Sequence, residues 1–153
     1  MTSRAPLRVF ALFVLAFALP CFAQVRGYWQ AASDTTADIT GDISFSKSKL
    51  TINFNSYPLA NIRDLKPAEV SSVFDVDLNA GGIGTLYRLN IPARQRFLHK
   101  NTLCGTEDTQ WMVTFTQGKV LHVAFFSGPE APVLTFDAMQ NSYAHCATFI
   151  YVR

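Results

Sequence analysis

Cys104 and Cys146 are the two cysteines that follow the first 23 residues of the chain. No C-x-x-C motif is present, and the histidine at position 145 is immediately beside Cys146. Neighbouring side chains on a strand point to opposite faces, so this histidine and cysteine make a poor metal chelate. Two cysteines in an oxidising compartment allow a single pairing, and closing this loop would contribute about 4 kcal/mol. The sequence therefore predicts one structural disulfide.

Asp75 and Asp77 alternate with apolar residues in the segment 75–79, DVDLN. This pattern resembles the start of a DxDxDG calcium loop, but Ala80 occupies the glycine position and Leu86 the position of the bidentate glutamate. Two carboxylates on one strand face would lie about 7 Å apart, a spacing that glycosidases also use, yet nothing places a substrate beside them. We interpret the aspartates as the solvated side of a strand that ends in a turn.

Histidines occur at positions 99, 122 and 145, without the H-E-x-x-H or H-x-H spacing of a metal site. His122 shares its predicted strand face with apolar residues, which favours a structural role. Neither a G-x-S-x-G motif nor a glycine-rich phosphate loop is present. The sequence predicts no metal and no cofactor, and it favours a non-catalytic protein over a hydrolase built from scattered residues.

Residues 93–108 lack a clear period and hold the basic cluster of the chain. Its members are Arg94, Arg96, His99 and Lys100. One interpretation is a solvated loop. The other is a binding loop for an anionic group on a partner protein, lipid head group or glycan, because loops on rigid scaffolds often carry function. Since the predicted disulfide would tie this segment down, it is our first candidate for a binding loop.

Residues 1–23 have the layout of a secretory signal peptide. Two arginines precede an unbroken apolar run at 9–19, and Pro20 follows it. Cys21 and Ala23 are small residues at the two positions that a signal peptidase reads, so we predict cleavage after Ala23. Cys21 allows an alternative, a lipoprotein. Because eleven apolar residues are too few for a membrane span of about 20, we expect a periplasmic or secreted mature chain without a transmembrane segment.

The expected mature chain, residues 24–153, is electrically neutral. The leader holds two of the 13 Lys and Arg and none of the 11 Asp and Glu, so the two signs balance in the remainder. A neutral surface argues against nucleic acid as a partner, because phosphate binding needs a positive field. A chain of this length buries about two-thirds of its unfolded surface, which predicts a single domain with one core.

Alternation of apolar and polar residues predicts short strands throughout the mature chain. One hairpin joins 42–46 to 50–54, with Phe54 on its apolar face, and another joins 109–116 to 119–126 around Gln117-Gly118. Further strands are predicted at 25–31, 70–78, 83–91, 133–136 and 143–152, with 70–78 and 83–91 as partners. The fold class is therefore all-β, a small antiparallel β-barrel or sandwich of about eight strands.

Gly27-Tyr28-Trp29 resembles the G-x-W that opens the first strand of lipocalins. In that family the tryptophan closes one end of an eight-stranded barrel over an apolar ligand cavity, so the resemblance implies Trp29 as a ligand-binding residue. The general plan is also similar to small periplasmic barrels that inhibit lysozyme, although their characteristic motif is not visible. Segments 101–105 and 146–151 look like exported bacterial β domains of uncharacterised activity.

The leading prediction is a non-catalytic periplasmic or secreted binding or interaction module. The alternative is a lipocalin-like carrier of a small apolar ligand. The partner would accordingly be a protein, a glycan or a small apolar ligand of the cell envelope.

Overall fold

The structure, a computed structural model, describes residues 25–153, so the predicted leader lies outside the described residues. The strands of this part of the chain are β1 (Gly27–Ala31), β2 (Ile43–Phe45), β3 (Lys49–Ile52), β4 (Asn55–Pro58), β5 (Ala60–Asp64), β6 (Ile83–Ile91), β7 (Thr109–Gln117), β8 (Val120–Ser127) and β9 (His145–Val152). The helices are α1 (Asp34–Ile39), α2 (Pro67–Phe74) and α3 (Phe136–Gln140), with a 3₁₀ turn at Leu98–Lys100. The prediction of a mostly β fold is confirmed.

All nine strands belong to one antiparallel sheet in the order β4-β3-β2-β1-β9-β8-β7-β6-β5. Its edge strands, β4 and β5, follow one another in the chain and are separated by Leu59 alone. Pro58 pairs with Lys49 of β3, whereas Ala60 pairs with Arg88 of β6. Within the described residues, the hydrogen-bonded ladders do not close this sheet into a barrel.

One hydrophobic core takes side chains from both ends of the sheet. Tyr57 comes from the edge strand β4, Trp29 and Tyr151 come from the central strands β1 and β9, and Tyr87 comes from β6, next to the other edge. Alternate residues of a strand point to the same face, so these side chains mark the inner face. Because strands from the two ends of the sheet share one core, the sheet must curve over itself.

The outer face of β6, β7 and β8 is covered by α2 and α3. A second apolar cluster forms there, and its members are Leu65, Val73, Phe74, Leu86, Trp111, Val113, Ala124, Phe126, Leu134 and Met139. The middle of each of these strands is consequently buried on both faces, and β8 is apolar at six of its eight positions. The outer face of β1–β4 is different, because Tyr28 and Ser56 there are exposed.

The strand predicted at 70–78 is wrong, because this segment contains α2 and the turn that follows it. Pro67 begins the helix, and the Glu69 carboxylate accepts a hydrogen bond of 2.9 Å from the backbone nitrogen of Lys66. Both features favour a helix start. The apolar residues of α2 then follow helical rather than strand spacing: Val70, Val73 and Phe74. Ile83–Ile91 therefore pairs with β5 and β7.

The short strand predicted at 133–136 is also wrong. This segment is irregular up to Thr135, which begins α3 as its N-cap by accepting a hydrogen bond of 3.4 Å from the backbone nitrogen of Ala138. A threonine side chain satisfies a free helix donor in this way.

The predicted disulfide is confirmed. Cys104 and Cys146 are bonded, with their Cα atoms 4.9 Å apart and 42 positions apart in sequence. The bridge fastens the irregular segment before β7 to the second residue of β9.

Candidate functional site

A surface groove of about 390 Å³ opens on the outer face of β1, β2 and β3. Residues from four parts of the chain line this hairpin groove: β1, the α1–β2 connection, β2 and β3 with the tight turn after β3, and the 3₁₀ turn. The hairpin groove is thus assembled by tertiary structure from segments that are distant in sequence.

A row of polar side chains crosses the strands at the hairpin groove. Tyr28 lies opposite Ser44, which in turn lies opposite Thr51. The row continues onto β4, where the hydroxyls of Thr51 and Ser56 share a hydrogen bond of 2.8 Å. Since neighbouring strands lie about 4.8 Å apart, these groups form a regular ladder of donors and acceptors.

Tyr28 and Asp42 form a fixed polar pair at the edge of the hairpin groove. The Tyr28 hydroxyl donates a hydrogen bond to Oδ2 of Asp42, while Oδ1 accepts one of 2.8 Å from the backbone nitrogen of Ala31. The hydrogen bond to this carboxylate, with smaller contributions from desolvation and from its charge, raises the pKa of Tyr28. Tyr28 remains 57% exposed, so part of its side chain is accessible to a ligand.

Phe54 lies at the tip of the β3–β4 hairpin with its side chain 99% exposed. The ladder ends at the pair Ile52 and Asn55, so Asn53 and Phe54 alone make the turn, with φ of 45° and 65°. Two positive φ values match a type I′ turn, where the second position normally holds glycine. For a residue with a side chain, this left-handed conformation costs about 1–2 kcal/mol.

The prediction that Phe54 shares an apolar face with Leu50 and Ile52 is wrong. The alternation is followed up to Ile52, which is buried, but the chain reverses at the next two residues. Phe54 therefore leaves the strand before it can return to the inner face. Its position beside the hairpin groove follows from the hairpin register, which the alternation does not specify.

The predicted binding loop reaches the hairpin groove through one apolar residue. Leu98 lines it and lies against Gly41, whose φ of 59° and close neighbour leave little room for a side chain. His99 and Lys100 follow with φ of 52° and 63°, and both side chains are exposed. The His99 Nε2 atom lies 3.8 Å from the carboxylate of Asp38 on α1.

Arg94 and Arg96 lie earlier in the same loop. Both are exposed, and Nη1 of Arg96 donates to the backbone oxygens of Ala93 and Gln95 at 2.8 and 3.2 Å. Arg96 is thereby held by its own loop. Of the predicted binding loop, Leu98 lines the hairpin groove, whereas the predicted site residues Arg94, Arg96, His99 and Lys100 do not.

Trp29 lies on the inner face of β1 and is completely buried. The guanidinium of Arg153 lies 4.4 Å from the centroid of its ring, and the indole Nε1 has no hydrogen-bond partner among residues 25–153. Its neighbour Tyr28 points to the opposite face and reaches the hairpin groove. The G-x-W segment therefore contributes Tyr28 to the candidate site, while Trp29 belongs to the core.

The aspartates that suggested calcium have structural partners. Asp75 ends α2 in a left-handed conformation, and the Asp77 carboxylate accepts a hydrogen bond of 2.6 Å from the backbone nitrogen of Asn79. Among residues 25–153, no group of three or more His, Cys, Asp or Glu side chains is placed to hold a metal ion.

His122 packs between aromatic rings beneath α2. Its ring centroid lies 5.5 Å from that of Phe74 and 6.0 Å from that of Phe115. Burial lowers the pKa of His122, which favours the neutral imidazole. These contacts are typical of a structural residue.

Comparisons with protein-family models, with curated proteins and with solved structures found no match. The hairpin groove is therefore interpreted from its own geometry. The helices formed by residues 25–153 are all too short or too polar to cross a membrane.

Proposed function

We propose that this protein is a non-catalytic binding module of the periplasm or the secreted space, and that the hairpin groove is its binding surface. Phe54 carries this proposal. A phenylalanine that is 99% exposed in a left-handed turn gains almost nothing from burial and bears a conformational cost. Strained residues of this kind concentrate at functional sites.

The surroundings of Phe54 support the same function. Its ring stands beside a concave surface of about 390 Å³, which is within the usual range of small-ligand sites. Tyr28 adds a second aromatic residue, and Asp42 adds an acceptor that two hydrogen bonds hold in place. Such a preformed arrangement favours binding because little side-chain freedom is lost on contact.

Two features support a location outside the cytoplasm. The first is the predicted leader, and the second is the Cys104–Cys146 disulfide, since disulfides persist in oxidising compartments.

We also infer that the curved sheet is a barrel with an imperfect seam. The order of the strands is that of a meander, in which each strand except β4 pairs with the next and β9 returns to β1. The segment 55–64 forms both edges of the sheet: its first part, β4, pairs with β3, and its second part, β5, pairs with β6. If β4 and β5 are counted as one bent strand, the wall contains eight strands.

The alternative function, a carrier of a small apolar ligand, has less support from the interior. Trp29 lies there, as the resemblance to lipocalins implies, but it is packed with Phe125 and Tyr151, and all three are fully buried. Small barrels are commonly filled by their own side chains in this way. The exposed hairpin groove is therefore the stronger candidate for a ligand.

Cosedimentation with cell-envelope material tests the proposed function. We expect the exported protein to bind envelopes of the cells that produce it, and Phe54→Ala to weaken this binding at least tenfold. Tyr143→Ala is the matched control, because Tyr143 is an equally exposed aromatic residue outside the hairpin groove. Equal binding by the wild type and Phe54→Ala, or no binding by either, would contradict the proposal.

A further inference from the structure

We propose that the ligand of the hairpin groove is a neutral, polyhydroxylated chain, that is, a glycan. This inference rests on the proposed function and names the chemistry of its ligand. A sugar ring presents an apolar face of C–H groups and an edge of hydroxyls that both donate and accept hydrogen bonds. A binding site for a sugar ring therefore needs an aromatic side chain next to groups that can both donate and accept hydrogen bonds.

The hairpin groove has the required aromatic surface at two points. Phe54 stands at the hairpin tip with its whole ring accessible, and Tyr28 exposes more than half of its surface on β1. The Tyr28 side chain is held in one direction, because its hydroxyl is bonded to Asp42. The two-residue turn fixes the backbone from which the Phe54 ring projects.

The polar lining between these rings fits hydroxyl groups. Ser44 and Thr51 each carry one hydroxyl, which can donate and accept, and the Asn53 amide offers both donors and an acceptor. Because Ser44 and Thr51 are directly opposite on adjacent strands, their spacing is set by the sheet. The row from Tyr28 to Ser56 crosses three strand intervals, about 14 Å, which suits a short run of sugar rings better than a single small ligand.

The charge of the hairpin groove argues against an anionic ligand. Asp42 is its only ionisable group besides Tyr28 among the described lining residues, and its carboxylate would repel phosphate or carboxylate groups. Each of its oxygens already accepts one hydrogen bond, and each can accept another. A sugar hydroxyl would supply that donor without bringing a charge. The cations that the sequence singled out at Arg94 and Arg96 do not line this surface.

Selective destruction of the envelope material tests this chemistry. Periodate cleaves the vicinal diols of glycans, whereas a protease removes protein. We expect binding of the exported protein to survive protease treatment of the envelopes and to be lost after periodate. Binding that a protease abolishes and periodate leaves intact would overturn the glycan, while its dependence on Phe54 would still support the proposed binding module. The absence of any Phe54-dependent binding would overturn both.

Variants of the hydroxyl row provide the second readout. We expect Ser44→Ala with Thr51→Ala to weaken binding to protease-treated envelope polysaccharide at least fivefold. The control Thr106→Ala removes an exposed hydroxyl outside the hairpin groove and should bind as the wild type does. In a nuclear magnetic resonance titration with that solubilised polysaccharide, the amide signals of residues 44, 51 and 54 should shift. Shifts confined to residues outside the hairpin groove would overturn the assignment of the site.

Discussion

The Tyr28 hydroxyl donates to the same Asp42 carboxylate that accepts the backbone nitrogen of Ala31 at 2.8 Å. This pair joins β1 to the start of β2 across the edge of the hairpin groove. The aromatic ring of the candidate site and its charged acceptor are therefore positioned by one another.

Replacing the carboxylate should change the titration of the phenol. The hydrogen bond to Asp42 raises the pKa of Tyr28, so the neutral donor persists to higher pH than it does in free tyrosine. We expect Asp42→Asn to lower the pKa of Tyr28 toward the ordinary value. Resonances of ring-labelled tyrosine measure this, and Tyr28→Phe identifies the signal. An unchanged titration in Asp42→Asn would show that the carboxylate does not control the phenol.

Replacing Phe54 at the hairpin tip by glycine should stabilise the fold. Phe54→Gly removes both the ring and the strain of a left-handed side chain, so we expect the free energy of unfolding to rise by about 1 kcal/mol. Phe54→Ala keeps the Cβ atom and removes only the ring, and it should not stabilise the protein. Urea unfolding measures both variants. If the two are equally stable, the strain assigned to Phe54 is absent.

Alkaline pH should destabilise the fold through Tyr151. Burial raises the pKa of this tyrosine, whose hydroxyl shares a hydrogen bond of 2.7 Å with that of Thr40. The unfolded chain then ionises first as the pH rises, so the stability is complete below pH about 10 and is lost above it. We expect Tyr151→Phe to flatten this loss. The measurement is the urea midpoint at a series of alkaline pH values, with Tyr143→Phe as the exposed control.

Removing the disulfide should weaken the fold considerably. The bridge closes a loop of 42 positions, and we expect Cys104→Ser with Cys146→Ser to lower the free energy of unfolding by about 4 kcal/mol. Thermal unfolding with and without reductant checks this on the wild type as well. Before reduction, a thiol assay of the exported protein should find no titratable pair, and two free thiols would contradict the bridge in the native state.

The alternation of apolar and polar residues predicted the hairpins because their strands are neighbours in sequence. The disulfide was predictable because two cysteines allow a single pairing. The hairpin predicted between 42–46 and 50–54 is present, with 43–45 paired to 50–52. The hairpin predicted around Gln117-Gly118 is also present, but its two turn residues are Gly118 and Lys119, because Gln117 still pairs with Val120. The segment 70–78 failed because its apolar residues fit two periods, and Pro67 with Glu69 marked the helix start that decides between them.

The candidate site was only partly predictable for a different reason. It is formed where β1, the α1–β2 connection, a tight turn and the 3₁₀ turn meet, and their meeting depends on the order of the strands in the sheet. The sequence singled out Trp29 and His99, whereas the hairpin groove is lined by the residues next to them, Tyr28 and Leu98. A shift of one residue along a strand exchanges core for surface, which explains the difference between Trp29 and Tyr28.

The ladder between β1 and β9 has a consequence for when this protein can finish folding. Among the described strands, every other ladder joins neighbours in the chain, so those pairs can form as the chain emerges. Trp29, however, shares its core with Phe149 and Tyr151, which follow it in the chain by 120 and 122 positions and are therefore synthesised much later. The core around β1 therefore cannot be completed before β9 has been synthesised. A chain interrupted before β9 would leave Trp29 exposed to chaperones and proteases.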